Sequence, residues 1–311
     1  MQRIFHLFIL SLFFLIVEAE ALSQTGYVMP KSTNIGDAFQ AIAAKRFLPK
    51  DSIAIDRDLI HQFNCPRPVK AVVSGWLMHT KEGSYWERRD VAMPQKSWPP
   101  SSIIDPLLIS IHITGSFIEQ AFSPEGVQYF KDHGPVGARD YFTLNELQQR
   151  GIPSYFSGCL TLTLKNTAKL RNNIIYLVDI DDACVQYIKA RTTSPVVVLT
   201  HGASIMSTNQ TLKYAEDLLN KYQKAKCVVT ARLHAAMPCL AYETPLLFIG
   251  TPSGPRFDGL VEHTRNCTAD DLLLGNIDYD FDNPPPNPNT HLAITENLIQ
   301  IMTEWRERCV Q

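Results

Sequence analysis

The stretch KCVVTARLHAAMPCLAYETPLLFIG, Lys226 to Gly250, sets Arg232 and His234 between an apolar strand pattern and an apolar helix pattern. A guanidinium is a permanent, forked cation suited to carboxylate or phosphate. An imidazole two residues on titrates near neutrality and can move a proton. The free N–H groups of a helix start favour an anion at the same place. The chemistry implied is anion binding coupled to proton transfer. Taken singly, Arg232 reads as a surface charge and His234 as a satisfied core residue; taken as a pair at one strand-to-helix junction, they read as a site. Leu233, Ala236, Met237 and Leu240 supply the inward apolar face of that helix.

Ligands of open parallel sheets bind beyond the carboxyl ends of the strands, so the other strand-to-helix junctions are candidates too. In GPVGARDYFT, Arg139 follows a strand and Asp140 precedes a helix, either as its cap or as the carboxylate that orients Arg139. In STNIGDAFQ, Gly36 allows close backbone approach, and Asn34 and Asp37 offer polar side chains. A plain helix cap is the alternative for Asp37. His201 leaves a buried strand in VVVLTHGAS, and Arg256 sits on the glycine-rich turn GTPSGPRFDG, able to close on a phosphate. The expected catalytic set is His234, Arg232 and Arg139; the expected substrate-binding set is Asn34, Gly36, Asp37, His201 and Arg256. His112 and Trp76, at the strand ends ISIHI and SGWLM, rank lower because each also reads as core packing.

These junctions require a series of strands and helices to hold them. A 311-residue chain suits two domains of ordinary size, and 45% hydrophobic with 19% charged residues makes it globular rather than disordered. The first series runs TGYVM, the helix AFQAIAAKRFL, then DSIAID, KAVVSGWLM, DPLLISIHI, the helix EGVQYFKDHG, PVGARD, the helix TLNELQQRG and IPSYFSGCLTLTL. Asp37 with Gln40, and Thr143 with Glu146, have the form of capping boxes, and Gly151 is a helix stop. The second series is NIIYLVDI, ACVQYIKAR, SPVVVLTH, TLKYAEDLLNKYQKA, KCVVTA, LHAAMPCLAY and TPLLFIG. Its strands are continuous apolar runs, as in parallel sheets covered on both faces. The expected fold is α/β: two doubly wound, Rossmann-like domains facing a cleft, residues 22–168 and 169–311, divided near Lys165–Asn172. The proline-rich DYDFDNPPPNPNTH runs over the surface before a last helix.

The formal net charge of −2 gives no long-range pull on nucleic acid or anionic lipid, so any anion site is local. Seven cysteines form no CxxC pair or Cys/His cluster, so no metal is expected. An oxidising compartment would allow one or two disulfides; buried free thiols are the alternative for Cys159, Cys227 and Cys239. Residues 1–21 read as a secretory signal: one arginine, the apolar block Phe5–Val17, and small residues at Ala19 and Ala21. The block is shorter than the ~20 residues that span a bilayer, which favours cleavage near Ala21 over an uncleaved membrane anchor in a secretory lumen. Sequons at Asn209 and Asn266 fit that route.

The blocks NIGDAFQAIAAKRFL, GPVGARDYFTLNELQQRGI, FSGCLTLTL, AKCVVTARLHAAMPCLAYETPLLFI and NPPPNP, in this order, resemble the polysaccharide pyruvyl transferase family. The likeness runs from about Gly26 to the last helix. It implies a fold similar to two-domain GT-B glycosyltransferases, with acceptor on the N-terminal side and donor on the C-terminal side. It also implies transfer of the pyruvyl group of phosphoenolpyruvate to sugar hydroxyls of a glycan, giving a cyclic ketal, with no cofactor beyond the donor itself. Arg232 and His234 fall on the family's active-site motif and Arg139 on its other arginine; Lys213 stands where an arginine would also suit. The resemblance makes His234 the acid/base and the arginines the holders of the donor's carboxylate and phosphate. The alternatives are a nucleotide-sugar glycosyltransferase, whose diphosphate needs the same cations, and a non-catalytic carbohydrate-binding relative.

Overall fold

The computed structural model describes residues 24–77, 79–80, 83–84, 98–113, 115–204, 206–250 and 254–310. Residues 1–21, expected to be a leader, lie outside them. Among the described residues eleven strands form two large sheets, and His79–Thr80 pairs with Gly83–Ser84 in a separate antiparallel ribbon. In the first, β1 (Gln24–Met29), β2 (Ile53–Asp56), β3 (Val69–Leu77), β4 (Ile104–Ile113), β5 (Val136–Ala138) and β6 (Ser154–Phe156) lie in the order β2-β1-β3-β4-β5-β6. In the second, β7 (Ile175–Val178), β8 (Val196–Leu199), β9 (Cys227–Thr230), β10 (Leu246–Ile249) and β11 (Asn266–Cys267) lie in the order β8-β7-β9-β10-β11. Every neighbouring pair in both sheets is parallel. Parallel pairing follows from the sequence, because helices return the chain between strands: α1 (Asp37–Lys45), α2 (Pro124–Asp132), α3 (Tyr141–Gln148), α4 (Asp182–Lys189), α5 (Thr208–Lys224), α6 (Leu233–Ala241), α7 (Ala269–Leu273) and α8 (Leu292–Val310).

Both sheets reverse their winding beside their first strand, β1 next to β3 and β7 next to β9. Such switch points open a crevice at the carboxyl ends of the strands. The two crevices face one junction. There the loop after β1 bonds across to the loop after β8: Ile35 N–H donates to His201 O at 2.9 Å and Ala203 N–H to Thr33 O at 2.8 Å.

α1 explains why the two halves stay together. Phe39, Ala38, Ala41, Ala43 and Ala44 are all buried. They share one continuous apolar cluster with Leu212, Leu218 and Tyr222 of α5, Leu233 and Met237 of α6, and Leu160 and Leu162 of the turn after β6. Four alanines give α1 helix propensity and a thin waist, so helices of the second half approach it closely. Truncating Phe39 there would cost about 3–5 kcal/mol. Lys70 Nζ at the start of β3 donates to Arg308 O of α8 at 2.9 Å, so the last helix crosses back to the first sheet.

Two local expectations change. Gly36, not Asp37, is the N-cap of α1, and no side chain caps it; Asp37 and Gln40 turn to distant partners instead. Asp140, not Thr143, caps α3, accepting from Thr143 N at 2.9 Å. β8 is also less covered than its all-apolar sequence suggests: it is an edge strand, and Val198 is 52% exposed. All seven cysteines are free, with Cys159, Cys227 and Cys239 buried. No helix of the described residues is long and apolar enough to cross a membrane.

Candidate active site

His234 opens α6, one residue after Leu233, and is buried. Gln40 Nε2 donates to its Nε2 at 3.1 Å, which leaves the Nδ1–H facing Asp37 Oδ1 at 3.5 Å. Asp37 in turn accepts from Ser32 Oγ at 3.1 Å and Asn34 Nδ2 at 3.3 Å, with Arg57 Nη1 at 3.7 Å. Burial alone would raise its carboxyl. The His234 bond, Arg57 and Ser32 outweigh that and hold it down at about 2. The His234 imidazole is pushed below its ordinary value by burial, with Asp37 pulling the other way and Arg139 and Arg256 adding to the depression. Both groups therefore rest as carboxylate and neutral imidazole. A cavity of about 10 Å³, room for one water, lies against His234, Asp37, Gln40, Ser74 and Trp76.

Gly36 makes this pairing possible. A Cβ there would lie 2.7 Å from His201 Nδ1 and 3.0 Å from His234 Cβ, so only glycine lets the two halves close on each other. His201 is packed rather than presented. Its Nε2 shares a 2.8 Å hydrogen bond with Tyr222 OH, its ring meets Phe39 edge-on, and burial drives its pKa to about 3.

Arg232 is the exposed cation of the set, its side chain 41% accessible. Its Nε donates to Asp179 Oδ2 at 2.9 Å, the oxygen that also accepts from His201 N at 2.9 Å. Asp179 follows β7 with φ of 48°, a left-handed backbone that aspartate tolerates. One arm of the Arg232 fork is thus pinned to Asp179.

Arg139 is the opposite case. It is fully buried, and none of its three side-chain nitrogens has a hydrogen-bond partner; Asp140 Oδ2 is 3.6 Å from its Nε. A buried, unsatisfied guanidinium costs several kcal/mol and persists where a bound anion completes it. Arg256 stands with it. Its carbon Cζ is 4.9 Å from the centre of the Trp76 ring, its Nε is buried without a partner, and burial, then Arg139, lowers its pKa to about 10. The loop carrying Arg256 reaches the first half through Tyr141 N–H, which donates to Asp258 O at 3.3 Å.

The model of the polysaccharide pyruvyl transferase family matches residues 34–253. The chain belongs to that family. It is accordingly a transferase, and the matched span takes in Asn34, Gly36, Asp37, Arg139, His201, Arg232 and His234 but stops short of Arg256. No curated protein matches this pyruvyl transferase family member. Among solved structures, a functionally uncharacterised protein of Klebsiella pneumoniae is similar at 11% identity and a TM-score of 0.44, over 83% of this chain and 97% of that one. The UDP-GlcNAc 2-epimerase of Methanocaldococcus jannaschii, solved with UDP-GlcNAc and UDP, is similar at 11% identity and a TM-score of 0.41, over 90% and 99%.

In this transferase the junction gathers Asp37, Gly36, Asn34, His234, Arg232, Arg139 and Arg256, with His201 behind them in the packed core. It also brings in residues that sequence reasoning ranked low or passed over. His112 Nδ1–H donates to Asp140 Oδ2 at 2.6 Å, and its Nε2 is buried without a partner. Trp76 meets the His112 ring edge-on at 5.5 Å, and its Nε1 is likewise unpartnered. An irregularity between Val73 and Gly75, opposite Ser110 at φ of 54°, sets Trp76 beside His112. Gln40 and Asp179 complete the set. Among the described residues no three His, Cys, Asp or Glu side chains are grouped to hold a metal.

Proposed function

We propose that the protein moves the pyruvyl group of phosphoenolpyruvate onto two hydroxyls of a glycan sugar, releasing phosphate and leaving a cyclic ketal. The observation that carries this reading is Arg139: a fully buried guanidinium with no acceptor on any nitrogen, beside Arg256, whose Nε is buried without a partner. Such a pair calls for a compact, multiply charged anion, and phosphoenolpyruvate offers a carboxylate and a phosphate on neighbouring atoms. Arg232, with one arm on Asp179, has the rest of its fork open to the same ligand.

The chemistry then needs two proton movements. One proton reaches the methylene carbon and makes C2 electrophilic. A sugar hydroxyl adds to C2, losing its proton, and the C2–O bond to phosphate breaks with its electron pair staying on phosphate. A second hydroxyl closes the ketal. Of the two hydroxyl protons, one replaces that given to the methyl group and one leaves on phosphate. His234 is suited to deliver the first proton. The negative donor offsets Arg139 and Arg256, which depress it, while Asp37 still favours its charged form. The fixed cations stabilise charge as phosphate departs.

The test is incubation with phosphoenolpyruvate and a glycan array, reading phosphate release and the mass of the ketal product. In parallel, phosphoenolpyruvate at about 100 times its dissociation constant should stabilise the protein by about 2.7 kcal/mol. Stabilisation by nucleotide sugars alone, with no phosphate released from phosphoenolpyruvate, would overturn the reading in favour of a glycosyltransferase.

A further inference from the structure

Two buried histidines at the junction are each tied to a carboxylate, and they differ at the other nitrogen. His234 Nε2 already accepts from Gln40 at 3.1 Å. His112 Nε2 has no partner and no exposure. Most core histidines satisfy both nitrogens or reach water; His112 does neither, a trait it shares with His201, but unlike His201 its other nitrogen is held by a carboxylate, Nδ1 lying 2.6 Å from Asp140. Asp140 is itself immobile, capping α3 through Thr143 N at 2.9 Å. The ring therefore has a fixed plane and a fixed tautomer, with a bare lone pair at Nε2. Around it stand unsatisfied donors of the junction, among them Arg139, Arg256 Nε and the Trp76 indole N–H.

We propose that His112, oriented by Asp140, is the general base that takes the proton from the attacking sugar hydroxyl. The inference rests on the pyruvyl-transfer reading above and divides its two proton tasks between two histidines. His234 gives a proton to the methylene carbon. His112 Nε2 removes the hydroxyl proton as the oxygen–C2 bond forms, and passes it to the departing phosphate. Neutral again, it takes the proton of the second hydroxyl as the ketal closes, and that proton returns to His234 through solvent. Atoms and charges balance: one donor and one diol yield one ketal and one hydrogen phosphate.

The environments fit the division. Burial, then Arg139, hold the His112 imidazole down to about 4, with Asp140 pulling it up and Arg256 down. It therefore stays a free base across the neutral range. The His234 imidazole is depressed as well; what separates the two rings is geometry, with Nε2 of His234 taken by Gln40 and Nε2 of His112 bare.

The test compares wild type with H112N, whose amide can still donate to Asp140 but has no base at the Nε2 position. The expected result is phosphoenolpyruvate-induced stabilisation and KM for the donor within about threefold of wild type, with kcat lower by about 10²–10⁴-fold. The acid-side fall in wild-type kcat should vanish from the residual rate. H112N turnover within threefold of wild type, or loss of donor-induced stabilisation, overturns the proposal. The second outcome would make His112 a donor ligand. Should H112N fail to fold, H112Q gives the same comparison. Nitrogen-15 histidine spectra of the wild-type protein need no variant: buried histidines that all carry their proton on Nε2 at neutral pH overturn it too. If wild type is neither stabilised by phosphoenolpyruvate nor turns it over, the pyruvyl-transfer reading fails instead, and the variants are not needed to see it.

Discussion

Replacing Arg139 with methionine should make the free protein more stable while abolishing donor binding. Most arginine truncations do the reverse, so the sign is informative. The guanidinium is fully buried with no acceptor on its nitrogens, and Asp140 Oδ2, at 3.6 Å from Nε, is too far for a hydrogen bond. Replacing a whole buried ion pair with apolar residues of similar volume is neutral or stabilising by about 1–4 kcal/mol, whereas removing one partner of a well-formed pair costs about 3–5 kcal/mol; the Arg139–Asp140 contact is 3.6 Å with no hydrogen bond, so it is not such a pair. Methionine is long and adaptable enough to fill most of the space. Asp140 is not orphaned by the change, since Thr143 N and His112 Nδ1 still donate to it. A net gain of about 1–3 kcal/mol follows, or a rise in melting temperature of roughly 1.5–5 °C for a chain of this size. The assay is a pair of melting curves for each protein, with and without phosphoenolpyruvate. Wild type should shift upward with the donor; R139M should start higher and not move. If R139M melts below wild type and still shifts with the donor, Arg139 holds the fold rather than the ligand, and the anion-site reasoning is wrong.

Gly36→Ala should destabilise by about 1–2 kcal/mol: overpacking against His201 and His234 costs about 1–3 kcal/mol, and the loss of glycine's unfolded freedom returns about 0.4–1. Its turnover should fall by about 10²-fold as His234 is displaced, and a fully active, equally stable G36A would show that the two halves do not need this contact. Arg232→Lys should weaken donor binding by about 10–100-fold in titrations, because an ammonium cannot reproduce the fork. Its stability should change by less than about 1 kcal/mol, since the Asp179 pair is partly exposed. Acid stability should follow the histidines. His112 and His201 are depressed from 6.5 to about 4 and about 3, so their contribution is complete above pH 6.5 and shrinks as pH falls toward 4. The loss for His112 alone is about 3 kcal/mol. Asp37, held at about 2, keeps its contribution until lower pH. A melting temperature that stays flat from pH 7 to 4.5 would contradict this.

The alternation of apolar strands with helices was legible because each element carries its own period. The edge position of strand β8 was not, because Val196, Val197 and Val198 look the same on an edge as in the middle of a sheet; only its neighbours decide. Arg232 and His234 were legible as polar residues where a core has no use for them. His112 and Trp76 were hidden by the opposite fact: each ends an apolar strand, where a ring facing the core and a ring facing a site have the same sequence. What turns them is the irregularity at Gly75 and Ser110, a property of two paired strands rather than of either one. Asp37 and Gln40 misled as a capping box because the motif counts only residues within one turn. The competing partner, His234, lies 194 positions along the chain from Gln40, and burial at the junction makes that bond worth more than a cap.

The shared burial of α1 sets a timetable for synthesis. The helix leaves the ribosome early, and Leu160, Leu162 and the first sheet can cover part of it, but the side chains of the second half that complete its cover, from Leu212 to Leu240, come much later. At about 5–20 residues per second, roughly 10–40 s separate Lys45 from Leu240. During that interval the first sheet can pair while the face of α1 that meets α5 and α6 looks onto water, an apolar face awaiting a partner. The nascent first half is thus a client for holding chaperones until α6 is made. A ribosome stalled before α5 would release a half that aggregates, whereas one stalled after α6 would release a chain already closed around its central helix.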